Sequence, residues 1–346
     1  MNKASNIKKL AIKTASLILK ITNGQPFKYI YGGYGQILMF HRVCKNNNLT
    51  RLWNNSYLEV SPEYLEELIF YFKNLNYKFI SLDQLYYNTK NIKPLKPFVI
   101  FTFDDGYKDN LTLAFPILKK HNIPMTIYIT TDFPDKKAIL WWDALEKKIL
   151  NNNTIEFFFD KKKYKYTAFS LNEKEKLFEH IHKLISTITP KKRQKLINTI
   201  FTKQELENEL KKVLTWQEIN YLSQQSLITI GAHTISHNYL SQLTDEQSEN
   251  EISKSIHKIE QKINKTVKHF AYPFGNAQSF GTREIKILQQ NNILTATTTI
   301  SKNITQKSLE NLLALPRIAV GMSMSKNTFD LIRFGVIPML RNKFIV

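Results

Sequence analysis

Short apolar runs alternate along the chain with longer segments whose apolar residues recur at helical spacing. Residues 36–40, 78–82, 97–103, 125–130, 227–231, 268–272, 293–298 and 312–318 each read as a strand. The unbroken run Phe98-Val99-Ile100-Phe101-Thr102-Phe103 has the composition of a strand buried on both faces. Between the strands, Ser61-Pro62-Glu63 predicts an N-capped helix carried to about Asn76 by Leu65, Leu68, Ile69, Phe72 and Leu75. Residues 109–120 predict another helix. Thr215-Trp216-Gln217-Glu218 and Thr244-Asp245-Glu246-Gln247 are capping boxes that open two more, the second amphipathic to about Ile263. Seven or eight strands alternating with helices predict a parallel α/β fold closed into a barrel, complete or distorted.

The alternation breaks between residues 141 and 213. Ile155-Glu156-Phe157-Phe158-Phe159 and Tyr164-Lys165-Tyr166-Thr167, separated by Asp160-Lys161-Lys162-Lys163, predict a hairpin, and the rest of the stretch is Lys- and Glu-rich and helical in pattern. The expected layout is a basic amphipathic segment at 1–30, a barrel over 31–320 with an insertion at 141–213, and a basic, apolar tail at 321–346. In residues 6–21, apolar positions such as Leu10, Ile12, Leu17 and Leu19 are interspersed with Lys8, Lys9, Lys13 and Lys20. That pattern fits a helix lying in a membrane interface or one docked on the protein, and neither a secretory signal nor a spanning helix.

The formal charge of +20, from 49 basic against 29 acidic residues, favours anionic surfaces such as lipid headgroups, nucleic acid or acidic glycans. Lys and Asn are spread along the whole chain, however, and no nucleic-acid motif accompanies them. A single cysteine, Cys44, excludes an intramolecular disulfide. With no signal peptide, the expected location is the cytoplasm, peripheral on the inner face of the membrane through residues 6–21 and 334–341.

The chemistry gathers where strands end. Residues 97–103 run into Asp104-Asp105-Gly106, residues 36–40 into His41-Arg42-Val43, and residues 227–231 into Ala232-His233-Thr234-Ile235-Ser236-His237. Asp-Asp-Gly alone is an ordinary turn, and two histidines four apart are a weak signal. At the carboxyl ends of barrel strands they meet. Two imidazoles and one carboxylate make a hydrolytic metal site with open positions, and the second carboxylate is then free to act as general base.

Thr102-Phe103-Asp104-Asp105-Gly106, His233-Thr234-Ile235-Ser236-His237 and Phe270-Ala271-Tyr272-Pro273-Phe274-Gly275, in this order, resemble the first three motifs of the NodB-homology polysaccharide deacetylases, carbohydrate esterase family 4. Supporting phrases are Ile37-Leu38-Met39-Phe40-His41-Arg42-Val43, Leu140-Trp141-Trp142-Asp143 and Leu315-Pro316-Arg317-Ile318. The resemblance implies a distorted (β/α)7-8 barrel with a helical and hairpin insertion, one divalent metal, usually zinc, and removal of acetyl groups from N-acetylated sugars. It makes Asp104 the general base and Asp105, His233 and His237 the metal ligands, and it gives the backbone N–H of Phe274 to the oxyanion.

Two departures follow. Ala271 stands where many members carry the arginine that orients the base, which leaves Arg317 as its replacement or as a salt-bridged surface residue. No histidine follows His269, so the usual late acid is missing. A circularly permuted branch, which includes poly-N-acetylglucosamine deacetylases, takes its acid from a histidine ending an N-terminal strand. His41 fits that place, as a protonated imidazole near neutral pH, or is a core histidine. Trp141, Trp142, Tyr272 and Pro273 are candidate sugar contacts or core residues. Asp143 reads as structural, and His121, His180, His182 and His257 as exposed. The expected substrate is a polysaccharide or a lipid-linked glycan precursor. Hydrolysis of another linear amide or an O-acetyl ester, or carbohydrate binding at a membrane surface without catalysis, stand as alternatives.

Overall fold

The structure, a computed structural model, describes residues 33–45, 50–91, 97–138, 140–321 and 326–335. The amphipathic segment expected at 6–21 and residues 336–346 of the tail lie outside them. The strands are β1 (Gly35–Phe40), β2 (Arg42–Val43), β3 (Glu59–Val60), β4 (Lys78–Phe79), β5 (Phe98–Phe103), β6 (Met125–Ile129), β7 (Thr154–Phe159), β8 (Lys162–Thr167), β9 (Ile228–Ala232), β10 (His269–Ala271), β11 (Thr295–Thr297) and β12 (Ile318–Ala319). Eight of them form one parallel sheet in the order β11-β10-β9-β6-β5-β1-β12, with β4 paired to β5 off that path.

The sheet curls until its edges nearly meet. Leu315 bridges Thr297 at the end of β11, and three residues later Ile318 pairs with Leu38 in β1, so the stretch 315–319 spans the gap between the two edges. All six residues of β1 and of β5 are buried, which is why these central strands carry no alternation of polar and apolar positions. They pair in register from Gly35 opposite Phe98 to Phe40 opposite Phe103. A side chain at Gly35 would meet the Phe98 carbonyl oxygen at 2.4 Å, so only glycine permits that approach.

Three predicted elements end differently, each for a local reason. The strand at 78–82 stops at Phe79 because Ser81 becomes the N-cap of the helix Leu82–Lys90, in a capping box with Gln84. Over 312–318 the chain makes a 3-10 turn, Leu312–Ala314, before the two-residue β12. Pro316 has no N–H to give to a ladder there. The helix at 109–120 opens with a π turn, Asn110–Ala114, before Phe115–Lys120, because Pro116 deprives an upstream carbonyl of its partner. The capping boxes at Thr215 and Thr244 are present, and the second helix, Asp245–Ile263, ends on Asn264 at φ 52°.

Residues 141–210 form the helices Trp141–Asn151, Leu171–Thr187, Pro190–Ile200 and Lys203–Leu210 and the antiparallel hairpin β7–β8. Leu145, Ile149, Phe157, Phe178, Ile181 and Leu196 belong to an apolar cluster of their own, separate from the barrel cluster of Leu38, Phe101, Ile127 and Phe270. No described helix is long and apolar enough to cross a membrane.

Candidate functional site

The ladder between β1 and β5 continues one residue past the strand, where the Asp104 N–H donates to the Phe40 carbonyl at 2.9 Å. This fixes Asp104 beside His41. The Asp104 carboxylate accepts two bonds from Arg317, both at 2.7 Å, and both residues are buried. Arg317 comes from the stretch that spans the barrel gap, and it also donates to the Thr298 carbonyl at 2.9 Å and to Thr102 Oγ1 at 3.1 Å. Burial by itself would push the Asp104 pKa up. The guanidinium outweighs it, bringing Asp104 down to about 2.

Asp105 leaves the strand at φ 69°, which turns its side chain toward the imidazoles. Its buried Oδ1 has no hydrogen-bond partner and lies 3.6 Å from His233 Nε2 and 3.5 Å from His237 Nε2. Burial, with Asp104 and Asp143 adding like charge, pushes this carboxyl well above the usual range. His233 Nδ1 is 2.7 Å from the Ala271 carbonyl, which can only accept, so the proton sits on Nδ1 and the Nε2 lone pair faces Asp105. Burial holds both imidazoles below their ordinary pKa and hence neutral. Ligand atoms of Asp105, His233 and His237 lie within 4.8 Å of one another, the one such group among the described residues. An orphaned carboxylate oxygen facing two neutral imidazole nitrogens at more than hydrogen-bond distance is a donor set that fits a divalent cation.

Phe274 sits at φ 61° and is followed by Gly275 at φ 57°. Thr299 pins this turn, donating from Oγ1 to the Phe274 carbonyl at 2.6 Å and from its N–H to the Gly275 carbonyl at 2.9 Å. The Phe274 N–H donates to no described residue, and its ring lies 5.0 Å from that of His237. Asp105, Thr234, His237 and Phe274 are thus four non-glycine residues with φ between 54° and 69° in one site. Each such residue costs on the order of 1–3 kcal/mol, strain that clusters where function requires a particular geometry.

His41 follows β1, and its Nδ1 is buried without a partner. Burial lowers its pKa to about 4 despite the opposing pull of Asp104. The imidazole is therefore neutral at pH 7, contrary to the protonated form expected from sequence. Trp141 and Trp142 both line a pocket with His237, and of the four candidate sugar contacts only Trp142 has its ring against that imidazole. Trp142 is half-buried, its ring is 5.4 Å from His237, and its Nε1 donates to Tyr107 Oη at 2.9 Å. Trp141 turns instead into the insertion core against His182, and Tyr272 is buried against Phe280 with its hydroxyl on the Leu313 carbonyl. Pro273 is buried as well. Asp143 is structural, bonded to Lys212 at 2.6 Å and 3.7 Å from Arg42. His121 and His182 are turned inward rather than exposed, His121 onto Glu66 at 2.8 Å.

Residues without a sequence signal also support the site. Glu251, on the helix Asp245–Ile263, accepts from the N–H groups of Ile235 and Ser236 at 2.9 and 3.0 Å, and Arg193 donates to Asn238 at 2.6 Å.

Fold and site together define a parallel α/β-barrel protein with a candidate metal centre and a buried carboxylate–guanidinium pair at the carboxyl ends of its strands. Residues 91–292 match the family model for polysaccharide deacetylase, and the chain belongs to that family. It is 32% identical over 120 residues to poly-beta-1,6-N-acetyl-D-glucosamine N-deacetylase of Staphylococcus aureus, a match covering 33% of this chain. The matched stretches span only 30% to 41% of the length of such curated relatives. The barrel superposes on the Streptococcus pyogenes deacetylase PplD, solved in complex with acetate, with a TM-score of 0.56 at 18% identity over 86% of this chain and 97% of that one. IcaB from Ammonifex degensii gives 0.53 at 14% identity over 88% and 98%.

Proposed function

We propose that this protein removes N-acetyl groups from an N-acetylated glycan, polymeric or lipid-linked, converting acetamide and water to amine and acetate. The observation that carries the reading is the convergence of Asp105, His233 and His237 within 4.8 Å beside the Asp104–Arg317 pair. Asp105, His233 and His237 would hold one divalent ion, zinc the first candidate, which when bound polarises the acetyl carbonyl and acidifies water.

The protein's own groups supply the rest. Asp104, ionised and locked in place by Arg317, accepts the proton of the attacking water at a carboxylate oxygen. The free Phe274 N–H donates to the carbonyl oxygen as it gains negative charge, and the left-handed turn holds that donor in advance. His41 is neutral, with one N–H and one lone pair, so it can take at its lone pair the proton that Asp104 received from water while it gives its own N–H proton to the departing amine, which returns both groups to their starting charge. Trp142 offers an aromatic wall beside His237 for a sugar face.

The test is acetate release with metal analysis across poly-N-acetylglucosamine oligomers, lipid-linked N-acetylhexosamines, a linear non-sugar amide and an O-acetyl ester. Activity on the glycans that disappears with a chelator and returns with Zn2+ supports the proposal. A protein freed of metal yet fully active would sink it, and turnover of the amide or ester alone would reassign the substrate. We also propose cytoplasmic residence with peripheral contact to anionic membrane through residues 6–21, supported by the Lys-rich apolar pattern there. Flotation with anionic liposomes that is lost in high salt is expected, and indifference to lipid would refute it.

A further inference from the structure

The loop that carries His237 leaves the barrel at β9 and is conformationally costly. Thr234 and His237 both occupy the left-handed region, at φ 66° and 54°, and neither is glycine. The His237 N–H donates to Thr234 Oγ1 at 3.1 Å and ties the two together, and the Thr234 and Ile235 carbonyls accept from the N–H groups of Thr131 and Asp132 at 3.1 and 2.9 Å. The remaining restraint comes from outside. Glu251 receives the Ile235 and Ser236 N–H groups and the Ser236 hydroxyl, and it takes a further bond from Asn238 Nδ2 at 3.2 Å. Asn238 also donates to Ser236 Oγ at 2.6 Å, which leaves its Oδ1 to accept from elsewhere.

That acceptor is filled by the insertion. Arg193, on the helix Pro190–Ile200, is buried and gives Nη1 to Asn238 Oδ1 at 2.6 Å. Its other donors go to the Ile185 and Ser186 carbonyls at 3.1 and 3.3 Å, in the last turn of the helix Leu171–Thr187. One side chain thus joins the end of one inserted helix, the body of another and the residue next to His237. An arginine is suited to this because its planar fork holds several acceptors in fixed directions, and a lysine cannot.

We propose that Arg193 and Glu251 are positioning residues that clamp Asn238 from two sides, so that the insertion sets how tightly His237 is presented to a metal ion. This rests on the reading of Asp105, His233 and His237 as metal ligands. Groups that orient a ligand without touching the ion commonly change metal affinity 10- to 100-fold, and Arg193 would be such a group supplied from outside the barrel.

The experiment is a titration of the full-length protein, stripped of metal, with Zn2+ against a competing chelator. Wild type is expected to bind one equivalent. Arg193→Ala should weaken binding by about tenfold or more, with Arg193→Lys recovering only part. Far-UV circular dichroism and melting of the metal-free variants report whether the insertion stays folded. Asn238→Ala guards against its collapse, since it breaks the clamp from the barrel side and leaves the inserted helices their own contacts. Its loss should match that of Arg193→Ala, and the double variant should lose no more than either alone. A folded Arg193→Ala protein with wild-type affinity, or losses that simply add, would overturn the proposal. If wild type binds no Zn2+, the metal-ligand reading fails, and amide exchange then decides the clamp. Faster exchange at Ile235, Ser236 and His237 in Arg193→Ala supports it, and unchanged exchange rejects it.

Discussion

Asp104 and Asp105 are neighbours in sequence with opposite surroundings, one paired through both oxygens with a guanidinium and the other facing two imidazoles with an unused oxygen. Replacing each by Asn should therefore fail in different ways. Asp104→Asn should retain metal and lose acetate release by about 100-fold or more, the usual scale for a proton-transfer group. Asp105→Asn should lose the metal itself, which elemental analysis after dialysis reads directly. Arg317→Ala leaves a buried carboxylate uncompensated and should cost about 3–5 kcal/mol in urea unfolding. His41 makes a pH prediction. Its folded pKa of about 4 lies below the ordinary imidazole value of 6.5, so the unfolded chain binds the proton more readily. The stability it contributes is present above pH 6.5 and lost as pH falls toward 4. At pH 5 that loss is about 2 kcal/mol. Metal-free wild type should accordingly lose more stability between pH 7.5 and 5 than His41→Asn does, and equal slopes would contradict the assignment.

At the scale of elements, what could be read in advance depended on whether the cause was local. Capping boxes at Thr215 and Thr244 were legible because cap and helix lie within four residues, and β5 was legible because both its faces are covered. The strand at 312–318 was over-read because its apolar residues outweighed the missing N–H of Pro316. Asp105 and His233 could be found because they sit just past apolar runs, and His237 because it lies four residues after His233. Glu251, Asn238 and Arg193 could not, since nothing in an amphipathic helix marks which polar residue faces a loop 15 or 45 positions away. The same limit made Trp141 and Trp142 equivalent in sequence, although the first ring lies against His182 in the insertion and the second against His237 in the site. Packing at this scale is also testable. Phe101 stacks on Phe40 with ring centroids 5.3 Å apart in the middle of the sheet, and Phe101→Ala should cost about 3–5 kcal/mol by calorimetry or urea.

For the molecule as a whole, a barrel with one family fold carries a second apolar cluster whose helices reach back to the site through Arg193 and Trp142. Chelator treatment should thus lower the melting temperature of the full protein by an amount that grows with metal affinity, since a ligand bound only to the folded state stabilises it by mass action. An unchanged melt after verified metal removal would contradict this. The stretch 315–319 has a further consequence in folding kinetics. It joins the two edges of the sheet and brings Arg317 to Asp104 across 213 residues of chain. Until that late segment arrives, burying Asp104 leaves either an unpaired charge or a protonated carboxyl, so closing the barrel seam completes the burial of the central strands. The seam therefore comes last: a nascent chain that has not yet emitted Arg317 holds every described strand but β12, and its Asp104 carboxyl has no guanidinium to pair with.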